Sequence, residues 1–116
     1  IALPVSAPFH CQLMKPASKK MKEMIMNIEL SDLKTPIISN VNVNEITDSD
    51  EIKNLLIDQI YKKVRWREII EHMLKKNVFE FVEIGPGKTL SGMLKRFKKD
   101  IVVRNFNNIE DVDSLL

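Results

Sequence analysis

A histidine at position 10 is the residue whose type and setting best suit acid–base chemistry. His10 follows a proline-containing run and precedes a stretch in which apolar residues recur at helical spacing. An imidazole near a helix N-terminus lies in a positive potential that favours its neutral form, which can accept a proton. The sequence therefore offers His10 as a general base, with a purely structural histidine as the alternative.

A general base needs a nucleophile, and few groups near His10 could serve. Ser6 is four residues away across a proline turn, with no accompanying oxyanion-hole element. Cys11 is adjacent, and neighbouring side chains on a helix do not face each other, so we expect it to pack. None of the three glycines brackets a serine as in the Gly-x-Ser-x-Gly elbow of acyl-transfer enzymes. The nucleophile is therefore expected outside this sequence.

Other candidate motifs favour structural interpretations. The run Gly85-Pro-Gly-Lys-Thr89 resembles a phosphate loop, but Val82 occupies the position of its first glycine and Pro86 removes a backbone donor. We interpret it as a tight strand-to-helix turn. The two histidines and single cysteine lack metal-ligand spacing, and His72 is predicted at the surface or boundary of a helix. No metal site is predicted.

Helical periodicity alternates along the chain with short apolar runs. Helices are predicted to begin between His10 and Pro16, at Ser49 or Asp50 with one of these as the cap, near Val64, near Thr89 and at Asp111. Strands are predicted over residues 2–5, 36–41, 78–84 and 101–103. This alternation favours an α/β fold with a parallel sheet. So few strands indicate part of a larger sheet.

Composition narrows the protein class. The chain has 116 residues, 44% of them hydrophobic and 29% charged, and its net charge is +2. No apolar run reaches the roughly 18 residues of a membrane span, and the charge is too small to indicate nucleic-acid binding. The single cysteine fits a cytoplasmic location. Because the sequence starts at Ile1 within an apolar stretch, we expect it to begin inside a longer protein.

Two basic runs could dock an acidic partner. They cover residues 62–67 and 95–99. A solvated face is the ordinary interpretation of such runs, and the alternative is electrostatic steering of an acidic protein. Aromatic residues are not interleaved as in a nucleic-acid stacking platform.

Five short motifs, in order and at matching spacing, resemble the C-terminal part of the bacterial malonyl-CoA:acyl carrier protein transacylases. The resemblance covers nearly the whole chain. The motifs are Leu3-Pro-Val-Ser-x-Pro-x-His10, Leu13-Met-Lys-Pro-Ala17, Ser39-Asn-Val41, Gln59-Ile-Tyr61 with Val64-Arg-Trp66, and Glu83-x-Gly-Pro-Gly-Lys-x-Leu90.

The resemblance implies a two-step transfer of malonyl from coenzyme A to the phosphopantetheine thiol of acyl carrier protein, through a malonyl-serine ester, in fatty-acid synthesis. It implies that His10 is the base and that Gln59 supplies a backbone carbonyl that orients it. Phe9, just before the base, accompanies malonyl rather than methylmalonyl selection in related domains, and ordinary packing is its alternative role. Malonyl-CoA and acyl carrier protein are the implied partners, without a cofactor, nucleic acid or membrane.

The resemblance also implies how the chain is organised. Residues 1–6 would be the exit strand from a small ferredoxin-like subdomain, and residues 7–116 the C-terminal part of an α/β-hydrolase-like large subdomain. The family's elbow serine, its malonyl-binding arginine and its N-terminal glutamine loop have no position here. The chain would then need the missing N-terminal part of the same enzyme. An acyltransferase domain of a polyketide or fatty-acid multienzyme, and a non-catalytic carrier-protein-binding module, are the alternatives.

Overall fold

The computed structural model describes residues 8–113, which divide into two compact units between residues 69 and 70. The predicted strand over residues 2–5, the proposed exit strand over residues 1–6 and the last three residues of the predicted tail lie outside the described part. The elements are a 3₁₀ turn Gln12–Met14, α1 Lys15–Met26, β1 Ile37–Ile38, β2 Glu45–Ile46, α2 Ser49–Gln59, α3 Trp66–Lys75, β3 Glu80–Ile84, α4 Thr89–Phe97, β4 Val102–Phe106 and α5 Ile109–Asp113.

In the first unit, α1 packs against α2. Pro16 lies at the second position of α1, where its missing N–H costs nothing, so the helix begins within the predicted window. Ser18 and Ile25 are buried on α1, as are Ile52 and Ile57 on α2. The hydroxyl of Ser18 donates a 3.0 Å hydrogen bond to the carbonyl of Ile57. The α1–α2 seam therefore combines aliphatic packing with one buried polar contact.

The cap of α2 differs from the prediction. Asp48, rather than Ser49 or Asp50, accepts from the backbone N–H of Glu51 at 2.7 Å and has extended backbone dihedrals. Asp48 thus stands three residues before Glu51 and fulfils the capping geometry one residue earlier than expected.

The run Pro36–Val41 forms a much smaller strand than predicted. Only Ile37 and Ile38 pair, antiparallel, with Ile46 and Glu45 in a short hairpin, and Ile37 is exposed. The prediction of a buried strand over residues 36–41 is therefore wrong. The partner strand of this hairpin, Glu45–Ile46, lies in a largely polar stretch of the sequence.

In the second unit, β3 and β4 pair in parallel from Glu80–Val102 to Ile84–Phe106, and α4 connects them. This strand–helix–strand order confirms the predicted α/β class with a parallel sheet. α4 begins at Thr89, as predicted. β3 begins two residues later than predicted and ends at the predicted Ile84, whereas β4 begins one residue later and ends three residues later than predicted. One face of the pair is half-buried, and the other exposes Val82, Ile84 and Val102.

In this unit the chain turns at three residues with positive φ, one asparagine and two glycines. Asn77 has φ 62°, and the backbone N–H groups of Asn77 and Val78 bond to the carbonyls of Leu74 and Met73, which closes α3 in a Schellman motif. Gly85 and Gly87 follow β3 with φ 127° and 98°. The glycines therefore serve the tight strand-to-helix turn predicted for them.

The carboxylate of Glu83 joins β3, α4 and β4. It accepts hydrogen bonds from the backbone N–H groups of Leu90 (3.0 Å) and Ser91 (2.9 Å), from the Ser91 hydroxyl (2.6 Å) and from the Asn105 amide (2.8 Å). α4 has no capping side chain of its own, so Glu83 satisfies its free N–H groups from the neighbouring strand. These bonds, led by that of the Ser91 hydroxyl, lower the pKa of Glu83.

We expect Ser18→Ala to lower the free energy of unfolding by about 1 kcal/mol, because the buried Ile57 carbonyl loses its donor. Ser18 is 3% exposed. Urea denaturation measures the change. The matched control is Ser31→Ala, at an exposed serine, which we expect to unfold like the wild type. Equal stability of the two variants would contradict the role of the Ser18 hydroxyl.

We expect Glu83→Gln to make the protein less stable at neutral pH and to bring it closer to the wild type in acid. Because folding lowers the pKa of Glu83, its stabilisation is fully present above the unfolded-state pKa near 4.5. That stabilisation is lost as the pH falls through the lower, folded-state pKa.

Denaturant unfolding of both proteins across pH 3–7 tests this expectation. Glu29→Gln, at an exposed glutamate, is the control and should run parallel to the wild type. A Glu83→Gln defect that is independent of pH would rule out the carboxylate charge as its source.

Candidate active site

His10 is held in an unusual backbone conformation at the start of the described chain. Its φ is 57°, in the left-handed region that few residues other than glycine adopt. Its backbone N–H donates a 3.3 Å hydrogen bond to the carbonyl of Ile60, just past the end of α2. Such strain costs of order 1 kcal/mol and persists where surrounding contacts impose it, often at functional sites.

The imidazole of His10 contacts the backbone of Gln59. Its Nδ1 atom lies 2.7 Å from the Gln59 carbonyl oxygen. A carbonyl can only accept, so the hydrogen in this bond belongs to Nδ1. In the neutral imidazole Nε2 is then the unprotonated nitrogen, able to take a proton from a neighbouring hydroxyl or thiol. The structure thus brings together the two residues that the resemblance names for the base and its orienting carbonyl.

The C-terminal turn of α2 supplies the acceptors that hold this region. The last carbonyls of a helix lack partners within the helix. Here the carbonyls of Gln59 and Ile60 accept from the side chain and backbone of His10, and that of Ile57 accepts from Ser18. The C-terminal end of α2 therefore holds both the imidazole of His10 and helix α1.

Sequence reasoning missed two of these contacts. The Ile60 carbonyl and the Ser18 hydroxyl appear in none of the chemical motifs. A serine within an otherwise apolar face of α1 is the signal that could have indicated a buried polar contact at Ser18. The Ile60 carbonyl leaves no such signal, because backbone acceptors are present at every position.

An apolar groove opens beside the imidazole. A cavity of about 360 Å³ in the first unit is lined mainly by carbon atoms. Its lining residues are Phe9, His10, Met14, Ala17, Met21, Leu56, Gln59 and Ile60. Phe9 lies at this groove with 61% of its surface exposed, so its ring is available to a ligand or to another part of the protein. Its role in acyl selection stays a prediction.

The other candidates do not join the site. The thiol of Cys11 donates to the carbonyl of Pro8 at 3.0 Å. Ser6 lies outside the described residues. His72 is half-buried on α3, as predicted for a boundary position. The backbone N–H groups of Gly85 and Gly87 are engaged by Phe106 and Asn107, so the loop does not present them to a phosphate.

Within residues 8–113, no group of three or more histidine, cysteine, aspartate or glutamate side chains could hold a metal ion. Among the described helices, none has the length and apolar character needed to cross a bilayer.

The tautomer of His10 can be measured directly. We expect long-range ¹H–¹⁵N spectra at alkaline pH, where imidazole is neutral, to show the hydrogen of His10 on Nδ1. Gln59→Ala should leave this signature in place, because the acceptor is the backbone carbonyl. The spectrum of His10→Ala assigns the signals. A hydrogen on Nε2 in the wild type would contradict the orientation described here.

Known proteins resemble the chain along nearly its whole length. No known family profile matches it. The malonyl CoA-acyl carrier protein transacylase of Bacillus subtilis (strain 168) is 43% identical over 113 residues, which are 95% of this chain and 36% of that protein. The chain spans about a third of the length of the curated relatives it matches.

Solved structures agree with this match. An acyl-carrier-protein-S-malonyltransferase from Bartonella henselae superposes with a TM-score of 0.89 at 39% identity, covering 98% of this chain and 36% of that one. A malonyl-transacylase solved in complex with a type II PKS acyl-carrier protein gives a TM-score of 0.87 at 34% identity, with coverage of 98% and 37%. The chain is therefore a relative of the malonyl CoA-acyl carrier protein transacylases, matching their C-terminal part over about a third of their length.

Proposed function

We propose that this chain is the base-bearing part of an enzyme that transfers malonyl from coenzyme A to acyl carrier protein. The observation that carries the proposal is the 2.7 Å contact between His10 Nδ1 and the Gln59 carbonyl, which leaves Nε2 free to accept a proton. The substrates are proposed from the relatives in sequence and fold, which are named malonyl transferases. One substrate is a thioester and the other is a thiol. Because each half-reaction moves a single proton, we propose that the base acts without a cofactor.

In the first half-reaction, His10 Nε2 removes the proton of a serine hydroxyl in the part of the protein not contained in this chain. The serine oxygen attacks the carbonyl carbon of malonyl-CoA, and the carbon–sulfur bond breaks as the tetrahedral intermediate collapses. The leaving thiolate takes the proton from Nε2. The product is a malonyl-serine ester and free coenzyme A, with His10 again neutral.

In the second half-reaction the same nitrogen serves the incoming thiol. His10 takes the proton of the phosphopantetheine thiol, whose sulfur attacks the ester carbonyl. Collapse breaks the bond to the serine oxygen, which recovers its proton from Nε2. The Gln59 carbonyl keeps its bond to Nδ1–H throughout and stabilises the imidazolium that forms in each half-reaction.

The exposed apolar surfaces support a larger protein around this chain. A parallel sheet is ordinarily covered on both faces, yet Val82, Ile84 and Val102 are exposed on one face of the β3–β4 pair, Ile84 at 82%. Residues 7–116 are thus proposed as part of the large subdomain, and residues 1–6 as its connection to the small one. The remaining two thirds of such a protein would bring the serine, the malonyl-binding arginine and the oxyanion donors.

The position of Phe9 fits a role in choosing the acyl group. Its ring lies at the groove that contains His10, where a bulky side chain would restrict the space for an α-methyl substituent. We propose that Phe9 favours malonyl over methylmalonyl.

The proposed location is the cytoplasm. Malonyl transfer of this kind belongs to fatty-acid synthesis, and a single cysteine fits a reducing compartment.

Mass spectrometry locates the nucleophile. We expect this chain alone, incubated with malonyl-CoA, to retain its 13.4 kDa mass without an adduct, because the serine lies elsewhere. The complete protein should gain one malonyl group. A stoichiometric adduct on the isolated chain would contradict the proposed division of the active site.

Substitutions in the complete protein separate the base from its orienting residue. We expect His10→Ala to lower kcat/KM for malonyl transfer by about 10²–10⁴-fold, which is the usual contribution of a general base. Gln59→Ala should stay within about threefold of the wild type, because the hydrogen-bonded carbonyl belongs to the backbone. Unimpaired transfer by His10→Ala, with folding shown by circular dichroism, would refute the proposal.

A further inference from the structure

Ser18 is a buried polar residue to which the proposed reaction assigns no role. It lies on α1 with 3% of its surface exposed, and its hydroxyl donates a 3.0 Å hydrogen bond to the Ile57 carbonyl in the last turn of α2. Among the residues that the structure describes, this is the one hydrogen bond that joins α1 to α2. A buried hydroxyl has no water to bond with, so this contact fixes Ser18 to one atom of the neighbouring helix.

The hydrogen bond of Ser18 lies close to the one that orients His10. Ile57 and Gln59 are two residues apart at the end of α2, about 3 Å along the helix axis. Their carbonyls accept from the Ser18 hydroxyl and from Nδ1 of His10, respectively. Between His10 and Ser18 the chain forms a 3₁₀ turn and the start of α1. The two hydrogen bonds therefore close a ring between this stretch and the end of α2.

The segment between His10 and α1 has little freedom to absorb a movement of the helix. The backbone N–H of Met14 bonds to the Cys11 carbonyl at 3.0 Å, and Pro16 fixes the backbone in the first turn of α1. A displacement of α1 along α2 would therefore be passed on to His10. The position of α1 thus bears directly on the distance between the imidazole and the Gln59 carbonyl.

The other contacts between these helices constrain their register less strictly. Buried aliphatic side chains, such as Ile25 on α1 and Ile57 on α2, attract each other's helix without a preferred direction. The Lys15 amine lies 5.8 Å from the centre of the Tyr61 ring, but Lys15 is exposed, and such a contact is weak in water. The hydrogen bond of Ser18 is both directional and buried, so it selects one register of α1 against α2.

We infer that Ser18 is a positioning residue for the proposed base. Its bond to the Ile57 carbonyl holds α1 in the register that keeps Nδ1 of His10 on the Gln59 carbonyl. Ser18 does not line the groove beside His10, so it acts through the helices and not on the substrate. A misplacement of about 1 Å in an active site can lower a rate about 100-fold, so a looser seam is expected to slow proton transfer. The inference rests on the proposed function of His10.

The test compares Ser18→Ala with the wild type in the complete protein. We expect kcat for malonyl transfer to fall about tenfold, because the imidazole is aligned for a smaller fraction of the time. KM for malonyl-CoA should stay within about twofold, since Ser18 lies outside the groove beside His10. Long-range ¹H–¹⁵N spectra at alkaline pH should show part of the His10 hydrogen moved from Nδ1 to Nε2, because the bond that selects the tautomer is weakened.

Two further variants separate the hydroxyl from packing and from stability. Ser18→Thr retains the donor, and a second groove of about 260 Å³, which Ser18 borders, has space for the added methyl group. We expect its kcat to be within about threefold of the wild type. Ile25→Val removes one buried methyl group from the same helix and leaves the hydrogen bond in place. It should destabilise the protein by an amount comparable to Ser18→Ala, yet keep the kcat and the Nδ1 tautomer of the wild type.

Three results would overturn the inference. The first is a wild-type kcat or an unchanged His10 tautomer in Ser18→Ala. The second is an equal loss of kcat in Ser18→Ala and Ile25→Val, which would reduce Ser18 to a contribution to stability. The third is a Ser18→Thr variant as slow as Ser18→Ala, which would exclude the hydroxyl.

His10→Ala in the same assay separates this inference from the proposed function. If His10→Ala is inactive, any of the three results overturns the role of Ser18 and leaves the base in place. If His10→Ala transfers malonyl normally, the base is refuted and the role of Ser18 falls with it. Circular dichroism verifies that each variant is folded.

Discussion

The arrangement around His10 depends on the unpaired carbonyls at the end of α2. A helix must leave its last carbonyls without internal partners. Here the Gln59 and Ile60 carbonyls bind the side chain and backbone of His10, and the Ile57 carbonyl binds the Ser18 hydroxyl. The backbone strain at His10 is offset by these contacts, and the tautomer of its imidazole follows from one of them. A general requirement of helices thus holds the imidazole of His10 in place.

The α1–α2 seam divides two surfaces of different chemistry. Ser18 and Ile57 are buried within the seam, with the apolar groove beside His10 on one side and a groove lined by Lys15, Lys19 and Lys22 on the other. The apolar groove suits a part of a ligand or protein that has little charge. The second groove presents exposed ammonium groups. Two adjacent helices therefore form an apolar surface and a charged one without any additional element.

The sequence predicts this fold well where a single residue imposes the geometry. Pro16 limits where α1 can start, and Gly85 and Gly87 mark the turn into α4, so both boundaries are close to the prediction. It predicts poorly where tertiary pairing decides. The run Pro36–Val41 is apolar enough for a buried strand, but only two of its residues pair, in a hairpin whose partner strand, Glu45–Ile46, lies in a polar stretch. Strand pairing is set by neighbours that local composition does not reveal.

The candidate site is predictable in part for the same reason. The side chain of His10 and its position before a helix make it predictable from the sequence. Gln59 was predicted only from the resemblance to a family, and it contributes only its backbone carbonyl. An acceptor of this kind is encoded by the path of the chain, not by an amino-acid type. Almost every amino acid can supply such a carbonyl, except the few that would bend the end of the helix. Selection therefore need not preserve glutamine at position 59. The carbonyl that orients the proposed base can therefore persist through evolution while the amino acid at position 59 changes, and surveys of invariant side chains would pass over it.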